Sequence, residues 1–583
     1  MKRKIVGVVL SILLIVVMGA VALSGFIMHR NAESEEPLDY EATYGISGNQ
    51  YTVTFNNEIK DYKGLEQDGR VYLSLSGIIS GINSRFYWDS NESVLIYTGH
   101  DFTVKVKPDE NLYYLGAETA NLDYTPLKTM DGELYMAVDF LKMFTQMEIG
   151  QYTAPNRLVI RTKWDECKMV TIAKDTYLRY RGGIKAEIFR EAKAGEQLYV
   201  LDDSYDEWTM VASSYGYIGW VADKYLSGEA QLVTPQAPEL PQYHVEAWTP
   251  LGDGSKIKMV WHQVMSEAAN ANFDADTEGV SGVNVISPTW FAFNDTDGNI
   301  RSIASADYVQ KAHAKGMKVW ALFSNQFPNG EDGSLGDFSG SMADEVLAYT
   351  SKRETAVNQL ISYAVQAGVD GINLDFEKIM VSEESENAAK NYMQFVRELS
   401  QACHKNNLVL SIDNYVPMYT KHYDRAEQNI FADYLVIMGY DEYTAGSAEA
   451  GPGSSIGFVK QGIEDTLASV PNNKIINGIP LYTRVWKTTP EGLQIDGNYG
   501  MTTIQEIIVK HNVTPTYLDE MGLNYVAYQS DVDGNQYQMW IEDETAVKNK
   551  MELIKKYDLA GVACWKLGQQ EKVDIWSVIN SYF

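Results

Sequence analysis

The sequence predicts a multidomain chain ending, over residues 255–583, in a (β/α)8 TIM barrel with a small α+β insertion. Ahead of it are expected a small all-β barrel, an α+β repeat module and an N-terminal transmembrane helix. Three observations carry this. At 583 residues the chain is too long for one ordinary domain. Four prolines (Pro235, Pro238, Pro241 and Pro250) fall within one short stretch, which marks a semi-rigid linker over 229–254. Beyond that linker, eight apolar strand-length runs alternate with helix-length segments, the pattern of a closed parallel barrel.

The first element is Met1-Lys2-Arg3-Lys4 followed by an uncharged run from Ile5 to Met28. As a helix this run is about 36 Å long, enough to cross roughly 30 Å of hydrocarbon. The basic cluster holds its own end on the cytoplasmic side and places the bulk of the chain outside. Residues 1–28 are therefore expected to be a membrane anchor, with secretion after cleavage near Ala20-Val21-Ala22 as the alternative. Residues 29–50 form a polar, acidic stalk.

A weak internal repeat follows over 51–166. Asp68-Gly69 leads into Arg70–Leu73 and later Val94–Tyr97, and Asp131-Gly132 leads into Glu133–Met136 and later Leu158–Arg161. Each copy reads as strand, short helix, strand, with Asp-Gly supplying a tight turn. The layout resembles the N-terminal domain of copper amine oxidases, without implying copper chemistry. Residues 167–228 are short strands broken by turns. Gly195–Val200, Trp208–Val211 and Gly219–Val221 resemble the bacterial Src homology 3 domain, which implies a wall-binding module. Trp208 and Trp220 read equally well as core residues of a tiny barrel.

The barrel strands are expected at Ile257–His262, Val283–Ser287, Lys318–Phe323, Gly371–Glu377, Val409–Asp413, Tyr434–Met438, Lys474–Ile479 and Gly561–Trp565. The segment Thr488–Asp558 is too long for a simple connection and is expected to be the insertion, walling one side of a cleft.

Composition narrows the function. A formal net charge of −30 argues against nucleic acid, whose phosphates need clustered cations. Three cysteines build no disulfide framework, and no CxxC or HExxH spacing offers a zinc site, so no metal or cofactor is expected.

The most informative stretch is Val369–Glu377. Side chains alternate faces along a strand, so Asn373, Asp375 and Glu377 share one side, with successive members roughly 6.6 Å apart. Ile372, Leu374 and Phe376 take the other. A calcium loop is excluded because Lys378 stands where glycine is needed. Ala364, Val365 and Ala367 end a helix at Gly368, and a strand entered directly from a helix is normally covered on both faces. Two carboxyls that close resist ionising together, so one stays protonated near neutral pH and can serve an acid catalyst. Barrel enzymes place their chemistry at the C-terminal strand ends, where Glu377 falls.

With the strands in order, residues 255–583 resemble glycoside hydrolase family 18. The resemblance rests on Asp370-Gly371-Ile372-Asn373-Leu374-Asp375-Phe376-Glu377 at strand four and Met438-Gly439-Tyr440-Asp441 after strand six. Gly478–Arg484 after strand seven and Trp565 on strand eight agree as well. It implies a substrate containing N-acetylglucosamine and a retaining, substrate-assisted route. Glu377 would protonate the glycosidic oxygen while the sugar's acetamido oxygen attacks the anomeric carbon. Asp375 would orient the acetamido group, Tyr440 would hydrogen-bond its oxygen, and Asp441 would hold the distorted sugar. Trp565 would floor the ring, and Asp370, Asn373, Tyr482, Arg484 and Trp290 are further candidates for substrate contact. The family's commonest pattern has aspartate at the position of Asn373. An amide there can hydrogen-bond Asp375 but cannot ionise, and it resembles the branch of spore-cortex and cell-wall N-acetylglucosaminidases. The expected partners are a cell-wall N-acetylglucosamine polymer and a membrane. A barrel that binds glycan without cleaving it is the alternative, and chitin or N-linked glycan are alternative substrates.

Overall fold

The computed structural model describes residues 2–252, 254–329, 334–336, 338–379 and 387–583, with the side chains of 2–8, 25–29 and 31 outside the description. The chain divides into two compact units. One comprises Met1–Phe86, Val106–Tyr114 and Glu118–His244; the other comprises Tyr87–Lys105, Leu115–Ala117 and Val245–Phe583.

In the first unit, helix Lys2–Asn31 covers the expected anchor. Its apolar side chains from Val9 to Leu23 are exposed. Part of the 1–28 segment lies outside the described side chains. Among the described residues no helix is long and apolar enough to cross a membrane.

The repeat module forms a seven-stranded sheet, in which Arg70–Ser74 and Glu133–Ala137 pair antiparallel, Tyr135 opposite Ser74. Each strand runs straight into a short helix, Leu75–Gly81 or Val138–Leu141. The two copies thus meet side by side, one strand in from an edge of the sheet. Both Asp-Gly turns have positive φ at both residues, 53° and 76° at Asp68-Gly69 and 50° and 83° at Asp131-Gly132. That geometry suits a two-residue hairpin and is strained for most side chains. A second seven-stranded sheet follows over residues 167–233, around a core of Val170, Leu178, Leu198, Val211 and Val221. Trp208 and Trp220, on its central strands, are only half-buried.

The second unit is built on eight parallel strands, here β1 (Ile257–His262), β2 (Val285–Phe293), β3 (Lys318–Ser324), β4 (Gly371–Asp375), β5 (Val409–Tyr415), β6 (Tyr434–Met438), β7 (Ile475–Pro480) and β8 (Gly561–Trp565). β1 pairs with both β2 and β8, which closes the barrel. Helix Thr350–Ala367 ends where Gly368 takes φ 76°, the left-handed conformation glycine accepts without a Cβ clash. The chain then enters β4, which is buried along its whole length.

The inserted sheet spans Tyr482–Ile541, and helix Glu544–Lys556, assigned from sequence to the insertion, packs both on that sheet's strand Leu523–Gln529 and on the barrel strands β7 and β8. The antiparallel pair Tyr87–Asp89 and Val94–Thr98, from the middle of the repeat, belongs to this second unit. Asp89 accepts hydrogen bonds from the backbone N–H (2.7 Å) and hydroxyl (2.5 Å) of Thr350, and Tyr87 donates to Asn391 at 2.8 Å. Arg353, with its side chain fully buried, pairs with Glu398 at 2.9 Å and lies over the Tyr87 ring. Removing one partner of a buried pair strands a charge. Arg353→Met should therefore destabilise the second unit by about 3–5 kcal/mol, measured by urea unfolding.

Candidate active site

The barrel interior is filled by Trp261, Trp320, Tyr434, Val436 and Met438. Toward the C-terminal ends of β4 and β5 the inward positions are polar. On β4 these are Asn373 and Asp375; on β5 they are Ser411, Asp413 and Tyr415, with Asn373 in register with Ser411. The outward residue Phe376 packs against Phe323 at 5.1 Å and Phe395 at 5.6 Å between ring centroids, so helices cover that face.

Asn373 is completely buried and fully satisfied. Its carbonyl oxygen accepts from Trp261 Nε1 (2.9 Å) and Ser287 Oγ (3.0 Å). Because indole N–H only donates, this fixes the amide, and Nδ2 donates to Ser411 Oγ (3.0 Å) and Asp413 Oδ1 (2.7 Å). The expected bond to Asp375 is therefore replaced by one to Asp413 on the neighbouring strand. With every hydrogen-bonding position taken, Asn373 orients its neighbours rather than touching substrate.

Asp375 is 6% exposed, and its Oδ1 has no hydrogen-bond partner among the described residues. Burial pushes its pKa well up, and the charges of Glu377 and Asp413 push the same way. Asp413 is pushed up to about 8, first by burial and then by Glu377, against the pull of the Asn373 N–H. Glu377 lies just past the end of β4 rather than within it. Burial raises its pKa, the hydroxyl of Tyr415 donated to Oε2 opposes that, and Asp441 adds a smaller upward push. Several carboxyls crowded into a low-dielectric site cannot all ionise, so protons are retained toward neutral pH.

Glu377 opens into a cleft of ≈ 710 Å³ whose lining includes Tyr415, Tyr419, His422, Asp441 and Glu442. Tyr440 is 5% exposed, its ring edge-on to Trp261 at 6.4 Å. Trp565 is half-buried and meets Trp261 at 5.8 Å. Asp441 takes φ 62° and accepts from Tyr482 (2.5 Å) and Arg484 (2.7 Å) through Oδ1. Tyr482 and Arg484, both buried, thus serve the site by fixing Asp441.

Two sequence candidates fall elsewhere. Asp370 precedes β4, at the end opposite Glu377, where it binds His313 (2.7 Å), Lys318 (3.0 Å) and the Val319 N–H (2.8 Å). It ties strand ends together. Trp290 is 2% exposed, donates to Asn270 at 2.8 Å and packs on Tyr308, so it is core and offers no stacking face. Asp413 and Tyr415 were missed, although Ser411, Asp413 and Tyr415 repeat the every-second-residue polar pattern of β4.

The raised pKa of Asp413 has a thermodynamic consequence. A carboxyl held above its unfolded value of about 3.9 stabilises the fold fully below that pH and loses this contribution as pH rises through its folded value. The wild-type barrel should lose stability between pH about 4 and about 8. Asp413→Asn should flatten that slope in thermal melts and raise Tm at pH 8.

Residues 327–570 match the model for glycosyl hydrolases family 18, and residues 53–160 match that for the copper amine oxidase N-terminal domain. The glycosylase YvbX of Bacillus subtilis, described as uncharacterized, is 28% identical over 320 residues, which cover 53% of this chain and 88% of that protein. The cortical fragment-lytic enzyme of Bacillus subtilis is 27% identical over 242 residues, covering 40% of this chain and 54% of the relative. The solved spore cortex-lytic enzyme SleL of Bacillus cereus aligns with a TM-score of 0.49 and 20% identity, over 61% of this chain and 79% of that one. The family match takes in Glu377, Asp375, Tyr440, Asp441 and Trp565, and it identifies residues 327–570 as a glycosyl hydrolases family 18 domain.

Proposed function

We propose that this chain hydrolyses glycosidic bonds in an N-acetylglucosamine-containing polymer of the cell wall, peptidoglycan before chitin. The reaction is retaining and substrate-assisted, with Glu377 as general acid and then general base. The observation that carries this is the grouping of Asp375, Asp413 and Glu377 at the C-terminal ends of β4 and β5, with only Glu377 among them lining the cleft.

Burial keeps a proton on Glu377, which passes it to the glycosidic oxygen as the anomeric bond breaks. The acetamido oxygen of the same sugar closes onto the anomeric carbon, giving an oxazolinium cation. Asp375, whose Oδ1 has no partner among the described residues, takes the acetamido N–H and sets a negative charge beside that cation. Asp441, held by Tyr482 and Arg484, is rigid enough to grip a distorted ring. Glu377, now a carboxylate, draws a proton from water, which opens the oxazolinium from the face the leaving group left.

The names of the relatives, a cortical fragment-lytic enzyme among them, support a wall polymer as substrate. The Lys2-Arg3-Lys4 cluster and the exposed apolar side chains of the first helix support an exported chain tethered to the membrane, or secreted if that segment is cleaved. Mass spectrometry of digests tests the reading. Purified peptidoglycan should yield fragments with N-acetylglucosamine at the new reducing end, faster than chitin oligomers are cut. Tight glycan binding with no product from either polymer would instead establish a non-catalytic binder.

A further inference from the structure

Tyr415 is the last residue of β5 and faces the cleft beside Glu377. Its hydroxyl donates to Glu377 Oε2. A phenol hydrogen bonded this way leaves Oε1 as the oxygen that carries the acid's proton and presents it to the cleft. The geometry points to Tyr415 as a positioning residue that aims the proton of Glu377 and stabilises the carboxylate formed when that proton leaves. This rests on the reading of Glu377 as the acid.

Before proton transfer, Oε2 is the carbonyl oxygen of a neutral acid and the phenol makes an ordinary hydrogen bond. Afterwards it is half of a carboxylate and the same contact becomes charge-assisted, about twice as strong. The gain appears only as the proton departs, so it lowers the barrier rather than tightening substrate binding. The proton travels from Glu377 Oε1 to the leaving oxygen, and the phenol keeps its own. Burial holds the Tyr415 hydroxyl far above its ordinary range, so it remains a donor at every working pH.

The other groups facing Glu377 cannot take this part. Asp375, Asp413 and Asp441 are carboxyls that raise its pKa or are raised by it. Lys378 opposes them through its charge but makes no hydrogen bond to Glu377 among the described residues. Tyr423 spends its hydroxyl on the Phe376 carbonyl at 2.5 Å, and Tyr440 makes no hydrogen bond to Glu377. Tyr415 is the neutral donor on the acid.

Tyr415→Phe keeps the ring and removes the donor. Losing a hydrogen bond to a charged group should lower kcat about 10- to 100-fold and leave KM nearly unchanged. Because the lost bond favoured the carboxylate, Glu377 should hold its proton longer, and the alkaline limb of kcat/KM should move up by about one pH unit. A fluorinated tyrosine at 415, a stronger donor of almost the same size, should move the limb down, and it decides the matter if the phenylalanine variant does not fold. Glu377→Gln is assayed alongside. If that variant keeps wild-type activity, the assignment of the acid fails. If it is inactive while both 415 variants leave the limb in place, or Tyr415→Phe keeps kcat within twofold of wild type, the role of Tyr415 is overturned.

Discussion

Glu377→Gln should lower kcat on a polymeric substrate by about 10³-fold while oligosaccharide affinity stays close to wild type. The magnitude follows from what a positioned acid contributes, roughly 10²- to 10⁴-fold. Affinity should survive because the amide occupies the same volume at the cleft wall and Asp441, proposed to grip the sugar, is fixed independently by Tyr482 and Arg484. Demand for the acid depends on the leaving group. The loss should shrink on an aryl glycoside whose phenolate departs without a proton, because acid catalysis matters less as the leaving group becomes less basic. Kinetics on matched sugar and aryl substrates check both halves. An equal loss on the two would mean that Glu377 acts through structure rather than through its proton.

Asp375→Asn should lower kcat/KM by about 10²- to 10³-fold, the scale of removing one preorganised electrostatic contact to a charged intermediate. The amide can still meet the acetamido group but brings no negative charge to the oxazolinium. Folding should not suffer. Asp375 is buried among Glu377 and Asp413, and its pKa is raised, so neutralising it removes a desolvation cost. Activity lost with Tm unchanged or higher separates catalysis from stability; activity lost together with a fall in Tm would assign Asp375 to the fold instead.

The barrel was legible because its strands are buried on both faces and read as continuous apolar runs between helix-length segments. The candidate site was legible at β4 because ionisable residues are costly in such a run and therefore stand out. Asp413 and Tyr415 carry the same alternation, but their meaning depends on the parallel register that sets Asn373 opposite Ser411, and pairing partners are not written in a strand's own residues. The amide of Asn373 illustrates the same limit. Its chemistry was foreseen, while its partner proved to be Asp413, not Asp375, because Trp261 and Ser287 occupy its carbonyl oxygen. Trp290 was ambiguous for a related reason. An indole serves equally as platform or core, and Asn270 and Tyr308 decide it. The hairpin at Tyr87–Thr98 lay furthest from reach, since its partners Thr350, Arg353 and Asn391 stand more than 250 residues along the chain.

If the substrate's own acetamido group is the nucleophile, one sugar face is used twice, and the first product keeps the configuration of the bond that was cut. Proton NMR of the anomeric region, recorded within the first minutes of hydrolysis before mutarotation, reads this directly. The β-anomer should appear first and the α-anomer should grow in only as the sugar equilibrates. An α-anomer formed first would place a water molecule opposite the leaving group and contradict the roles given to Glu377 and Asp375.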